Sequence, residues 1–160
     1  MQQNFIDRVS ICIFAGAKVM ILNRKFLKFE IDLDFVLIAV TTSQKDYRVC
    51  YLINKFLNFN FVKIPDLEVD IAQAAGPVLF SIYHYSWEAT ETDFYFIANK
   101  GSEGYLVPEI SNADYFLMIK NYIDDKELDA LISALNKIPE IVAAVKIDPK
   151  KIKSRENLLF

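Results

Sequence analysis

Residues 78–120 read VLFSIYHYSWEATETDFYFIANKGSEGYLVPEISNADYFLMIK, and the reading of this stretch decides the fold. Four runs rich in aromatic and β-branched residues stand in it: 78–87, 94–99, 105–109 and 115–120. The clusters EATETD and KGSEG, which favour turns, separate the first three. Short strands at this spacing predict an antiparallel meander, with YLVPE (105–109) as its third strand and YFLMIK (115–120) as its fourth. Pro108 has no amide hydrogen for a ladder, so it is expected at a strand end or a sheet edge. The residues EISNA then form a loop, with Gly104 in the turn before it, Tyr105 on the short strand, and Glu109 and Asp114 flanking the loop closely enough to approach each other across it. Their expected role is to accept hydrogen bonds from backbone amides. Tyr115 opens the following strand.

Further along, DDKELDALISALNKI (124–138) is an amphipathic helix with an apolar stripe of Leu128, Leu131, Ile132, Leu135 and Ile138. Asp124 with Glu127 is a capping box, and Pro139 stops the helix. EIVAAVKI (140–147) is a last strand. If it neighbours 115–120 in parallel, the helix between them makes a right-handed crossover. Upstream, FVLIAV (35–40) fits a buried strand or a short helix. SQKD (43–46) offers Ser43 as the cap of a helix over 44–57, whose inner face is expected to hold Tyr47, Val49, Cys50, Ile53, Phe56 and Leu57. NFNFVKI (58–64) is a strand that Pro65 and Asp66 end. Before it all, residues 26–34 alternate, with Leu27, Phe29, Ile31 and Leu33 on one side and charged residues on the other, as a half-buried strand does. The fold class predicted is α+β, an antiparallel sheet with two main helices packed on one face.

Bulk properties agree with a globular chain. Among 160 residues, 53% are hydrophobic and 24% charged, and 13 Phe and 8 Tyr stand against 4 Gly, which favours β-structure with bulky side chains. Residues 1–19 read as an extension with the domain spanning 20–160 and its start at Met20. The apolar stretch before Met20 is interrupted by Lys18 and is too short to cross a membrane. Two cysteines, Cys12 and Cys50, make no disulfide framework and point to a reducing cytoplasm. The net charge of −3 is uneven: residues 1–63 carry +4, 64–114 carry −8 and 115–160 carry +1. The acidic middle repels phosphate, which counts against nucleic acid as a partner. A basic run (Lys146, Lys150, Lys151, Lys153, Arg155) reads as a solvated C-terminal tail, with RNA association as the weaker alternative.

Candidate site residues are few. His84 is the only histidine, and it shares a strand face with Val78, Phe80 and Ile82. A histidine oriented by a carboxylate serves as a general base, but no nucleophile motif accompanies it. One histidine and two distant cysteines lack zinc-site spacing, and no glycine-rich phosphate loop or dinucleotide fingerprint occurs, so no metal or cofactor is expected. Tyr83, His84, Tyr85, Trp87 and Tyr95 form a candidate binding surface, because Tyr and Trp dominate interaction hot spots. They suit a core equally well.

The motif GYLVPEISNADYFLMIK (104–120), together with DLDFVLIAVTTSQKDYRVCYLINKFLN, SIYHYSW and KSRENLLF, resembles a bacterial family found in Bacteroidetes and named for its Ile-Pro-Glu…Val-Asp signature. The likeness covers most of residues 26–160. Val107 stands where the family has Ile, Ala113 where it has Val, and the Glu-to-Asp spacing is longer. Membership implies a cytosolic protein without an assigned activity and supplies no catalytic residues. The function expected is therefore a non-enzymatic binding or protein-interaction module with a protein partner, compatible with a homodimer. The alternative is a small enzyme using His84 with a neighbouring carboxylate.

Overall fold

The structure, a computed structural model, describes residues 33–160, which form one compact unit. The expected start at Met20, the strand over 26–34 and Cys12 lie outside the described residues or at their border. Six strands make one antiparallel sheet: β1 (Phe35–Thr42), β2 (Val62–Asp70), β3 (Pro77–Trp87), β4 (Thr92–Ala98), β5 (Tyr115–Lys120) and β6 (Ile141–Ile147). Their order across the sheet is β2-β3-β4-β5-β1-β6. Helix α1 (Asp46–Leu57) links β1 to β2, and α2 (Asp125–Asn136) links β5 to β6. The α+β architecture with an antiparallel sheet and two helices is as the sequence predicts.

FVLIAV resolves as the central strand β1, hydrogen-bonded on one side to β5 and on the other to β6. Its continuous apolar run reflects burial on both faces: Ile38 and Val40 pack on one side, Leu37 and Ala39 on the other. Because β1 lies between them, β5 and β6 are not neighbours, and α2 carries the chain over β1 rather than between adjacent parallel strands.

Both helices cover one face. Val49, Cys50, Leu52 and Ile53 of α1 and Leu128, Leu131 and Leu135 of α2 close over Ile38, Val40, Phe94, Phe96, Leu117 and Ile119. The capping box of α2 forms as expected, with Asp124 accepting from the Lys126 amide and Glu127 from the Asp124 amide. Two expectations for α1 fail. Lys45, not Ser43, is its N-cap residue, because the Thr42 hydroxyl already takes the Gln44 amide and holds the chain short of the helix. Tyr47 and Phe56 are exposed, at 62% and 58%, since Tyr47 lies on the outward side of the helix and Phe56 on its last turn.

Strand β2 also departs from expectation. It runs through Pro65 to Asp70, with a register shift between Ile64 and Leu67. An edge strand with a bulge tolerates a proline that a central strand would not.

The opposite face carries Leu37, Ala39, Val78, Phe80, Ile82, Ile97, Phe116 and Met118. Neither helix reaches it. Residues 99–114 and 148–160 cover it instead, inserting Leu106, Val107 and Ala113 from the first segment and Ile152 and Leu158 from the second. YLVPE is therefore not a strand. β4, the strand before it, already pairs with both β3 and β5 and has no free side for it to join. It keeps one bridge, Lys100 to Tyr105, and Pro108–Ile110 make a 3-10 turn. The C-terminal run is likewise no solvated tail: its lysines face water while Ile152 and Leu158 are buried.

Candidate functional site

The five residues of the predicted surface divide between the two faces, as strand alternation requires. Tyr83, Tyr85 and Trp87 point to the helical side. His84 and Tyr95 oppose each other across β3 and β4 on the other side.

On the helical side, Tyr83 is 9% exposed and donates to Asp46 at 3.3 Å. Burial first, and the Asp46 charge second, push its phenol above the ordinary range. Tyr85 stacks on Phe94 at 5.7 Å and tilts against Phe59 at 5.0 Å. These two are core residues with a polar tip. Trp87 is different. It is 43% exposed at the end of β3. Beside it a groove of about 320 Å³ opens between the end of α1 and the first turns of α2. Thr92 and Phe94 line it from β4, Leu57 and Phe59 from the end of α1 and the segment after it, and Tyr122, Ala130 and Leu131 from α2 and the residues before it. Two polar side chains at its margin are engaged: the Thr92 hydroxyl donates to Tyr122 O at 2.7 Å, and Glu127 is part of the α2 cap. The groove is thus an apolar concavity with an exposed aromatic at its mouth. Sequence reading found Trp87 through residue type alone. It missed the other walls, because the end of α1, the start of β4 and α2 are brought together only by the fold.

On the opposite side, His84 Nε2 and Asp93 Oδ1 lie 2.8 Å apart, each side chain about a third exposed (32% and 30%). The His84 ring lies over Tyr95 at 4.8 Å. Lys120, directly across from Asp93, is held below its ordinary pKa by desolvation. Its ammonium reaches Phe160 O at 2.6 Å and sits near the Tyr95 and Phe160 rings. The carboxylate that would orient a basic histidine is present. Among the described residues no hydroxyl or thiol is hydrogen-bonded to His84, and no group of three or more His, Cys, Asp and Glu could hold a metal.

The motif acids do not meet across their loop. Glu109 accepts from the Ser154 amide at 2.9 Å and from its hydroxyl at 3.0 Å, pinning the C-terminal segment. Partial burial works to raise its pKa, but these bonds, its own amide and the Lys153 charge outweigh that and leave it lowered. Asp114 accepts from the Thr42 amide at 2.9 Å and from Lys100 at 3.0 Å, tying the loop to the end of β1. Burial, with Asp46 and Asp114 nearby, pushes the Tyr115 phenol up to about 12, and Tyr115 donates to Gln44 O at 2.9 Å. Gly104, Tyr105 and Pro108 shape the loop: Gly101 N–H donates to Gly104 O at 2.8 Å, and Pro108 opens the 3-10 turn.

The residue that organises this loop escaped sequence reading. Asn99 is fully buried. Its amide donates to Ile110 O and Ala113 O, each at 2.9 Å, and accepts from Val107 N–H at 2.9 Å. One side chain thus supplies three bonds that a neighbouring strand would otherwise provide. Its only sequence signal was a polar residue closing an apolar run.

No family model matches the chain, and no curated protein and no solved structure matches it. Among the described residues no helix is long and apolar enough to cross a membrane.

Proposed function

We propose that the chain is a binding module whose groove beside Trp87 receives an apolar side-chain anchor from a protein partner. One observation carries this reading: an open apolar concavity with a 43%-exposed tryptophan at its mouth. Its volume, about 320 Å³, lies at the small end of the range for ligand sites. That size favours a few inserted side chains over a whole cofactor. Tryptophan is also among the residues most enriched at binding hot spots. A reducing cytoplasm fits the free, buried Cys50, and the resemblance to the Ile-Pro-Glu…Val-Asp family belongs to the same proposal.

Trp87 is the single tryptophan, so its fluorescence reports on the groove directly. Short amphipathic helical peptides carrying Leu and Phe at i, i+3 and i+4 should shift its emission to the blue and saturate. Ala130→Glu should abolish the shift without lowering the melting temperature. Unchanged emission across such a peptide panel removes the reading.

The pairing of His84 with Asp93 supports a second reading, a small enzyme with His84 as general base. It requires a turnover that His84→Gln eliminates while the groove variant leaves it untouched.

A further inference from the structure

A second cavity, of about 480 Å³, opens at the other end of α1 and shares no residue with the Trp87 groove. Ser81 of β3, Ala98 of β4 and Tyr115 of β5 line it from the sheet. Ser43, Gln44, Lys45 and Asp46 line it from the turn into α1 and the first residue of that helix. The space follows from residue size. Two positions away on the same side of β3 and β4 stand Tyr83 and Phe96, which fill the core. Ser81 and Ala98 are too small to do so, and α1 begins only at Asp46.

Most polar groups around the cavity are already paired. The Thr42 hydroxyl donates to Glu140 O at 2.6 Å, the Tyr115 hydroxyl donates to Gln44 O at 2.9 Å, and Asp114 holds the Thr42 amide and Lys100. Four side chains keep capacity to spare among the described residues. Asp46 accepts from the Tyr83 hydroxyl on Oδ2 and meets no cation. The Lys45 ammonium meets no carboxylate, and the hydroxyls of Ser43 and Ser81 have no hydrogen-bond partner. Burial first, and the Asp46 charge second, raise the phenols of Tyr83 and Tyr115, so both stay neutral donors.

The charges around the cavity narrow the ligand. Asp46 and Asp114 repel a simple anion, and Lys45 and Lys100 repel a simple cation. A neutral polyol would cover Asp46 and Lys45 without answering either charge. A small molecule that carries both an ammonium and a carboxylate answers both, and the volume lies within the range of small-molecule sites.

We propose that this cavity binds a free α-amino acid, with its ammonium on Asp46, its carboxylate on Lys45, and Ser43 and Ser81 left for a short polar side chain. The site stands apart from the groove and does not depend on a protein partner there.

Calorimetric titration of the purified full chain tests this, with L-serine, L-asparagine and L-glutamine as probes and putrescine, acetate and glucose as controls. At least one of the amino acids should give a saturable heat, and the controls none. Asp46→Asn keeps an acceptor for Tyr83 and removes the charge, and it should weaken binding by about tenfold or more. Lys45→Gln, at an exposed position, should do the same and keeps the test open should Asp46→Asn fail to fold. Ala98→Leu fills the space and should abolish binding. No saturable heat from any of the three amino acids overturns the proposal. So does a control that binds as tightly as they do, or an affinity that any of these variants, once folded, leaves unchanged.

Discussion

The two faces of the sheet are buried by different means. On one, two helices with regular apolar stripes lie over Phe94, Phe96, Leu117 and Ile119, and the cover is made almost wholly of hydrophobic contact. On the other, irregular segments lie over Phe80, Phe116 and Met118, and polar side chains set their course: Asn99 inside the loop, Asp114 to β1, Glu109 to Ser154, and Asn157 to Leu106 O at 2.8 Å. A helix satisfies its own backbone, so only its apolar stripe must match the sheet. A loop over a core has no such economy. Each buried amide and carbonyl needs a partner, and here a few Asn, Asp and Glu side chains supply them. The helical face should therefore answer to lost volume, and the loop face to lost hydrogen bonds.

The largest effect expected is on the helical face. Leu135→Ala removes a side chain with no exposure from beneath α2 and should cost about 2–5 kcal/mol in a denaturant melt. Leu135→Met, which keeps the volume, should cost less than about 1.5 kcal/mol.

Asn99→Ala should come close to it, at about 3 kcal/mol, by orphaning the Val107 amide and the Ile110 and Ala113 carbonyls. Asn99→Asp sharpens the contrast. It is nearly isosteric but offers a carboxylate to two carbonyl oxygens, so it should be as damaging as alanine. If Asn99→Asp is mild, the loop face is held by packing and the distinction between the faces fails.

Gly101→Ala tests how closely the loop lies on the sheet. An added Cβ would meet Val78 Cγ1 at 2.5 Å and Phe80 Cε1 at 2.9 Å. The loop must lift, at a cost of about 1–3 kcal/mol, with faster amide exchange confined to residues 99–114 as the local signature.

Asp114→Ala should lose about 1–2 kcal/mol with its bond to the Thr42 amide, and Asp114→Asn less, because the amide oxygen still accepts. Equal losses would show that the Lys100 pair, not the backbone bond, matters.

The smallest effect concerns acid. Glu109 has a lowered pKa in the fold, so its contribution is present above the ordinary carboxylate pKa and is lost as pH falls through the folded value. It is largely exposed, so the contribution is less than about 1 kcal/mol. Melts of Glu109→Gln and wild type should differ near neutrality and converge once the pH falls below the lowered folded value of Glu109. A difference that persists in acid would contradict the assigned role.

Sequence alone determined the parts whose physics is local. The apolar stripe of α2, its Asp124–Glu127 cap, the alternation of β3 and β4 and the terminal strand β6 follow from periods of 3.6 and 2 and from capping chemistry, each spelled out within a dozen or so residues. The α+β class follows from those elements. Tertiary structure decided everything that depends on which neighbours a segment finds. FVLIAV is a strand because β5 and β6 flank it, a circumstance its own apolar run does not encode. YLVPE has strand composition, yet β4 before it and β5 after it are each paired on both sides, so it folded across a face and took hydrogen bonds from Asn99. Glu109 and Asp114, which flank one loop in sequence, tie down different segments: Glu109 holds Ser154, and Asp114 holds the Thr42 amide and Lys100. The groove at Trp87 exists only where α1, α2 and the β3–β4 turn converge. Periodicity reports which way a side chain points; it carries no information about what stands opposite, and cover, partner and site are all set by what stands opposite.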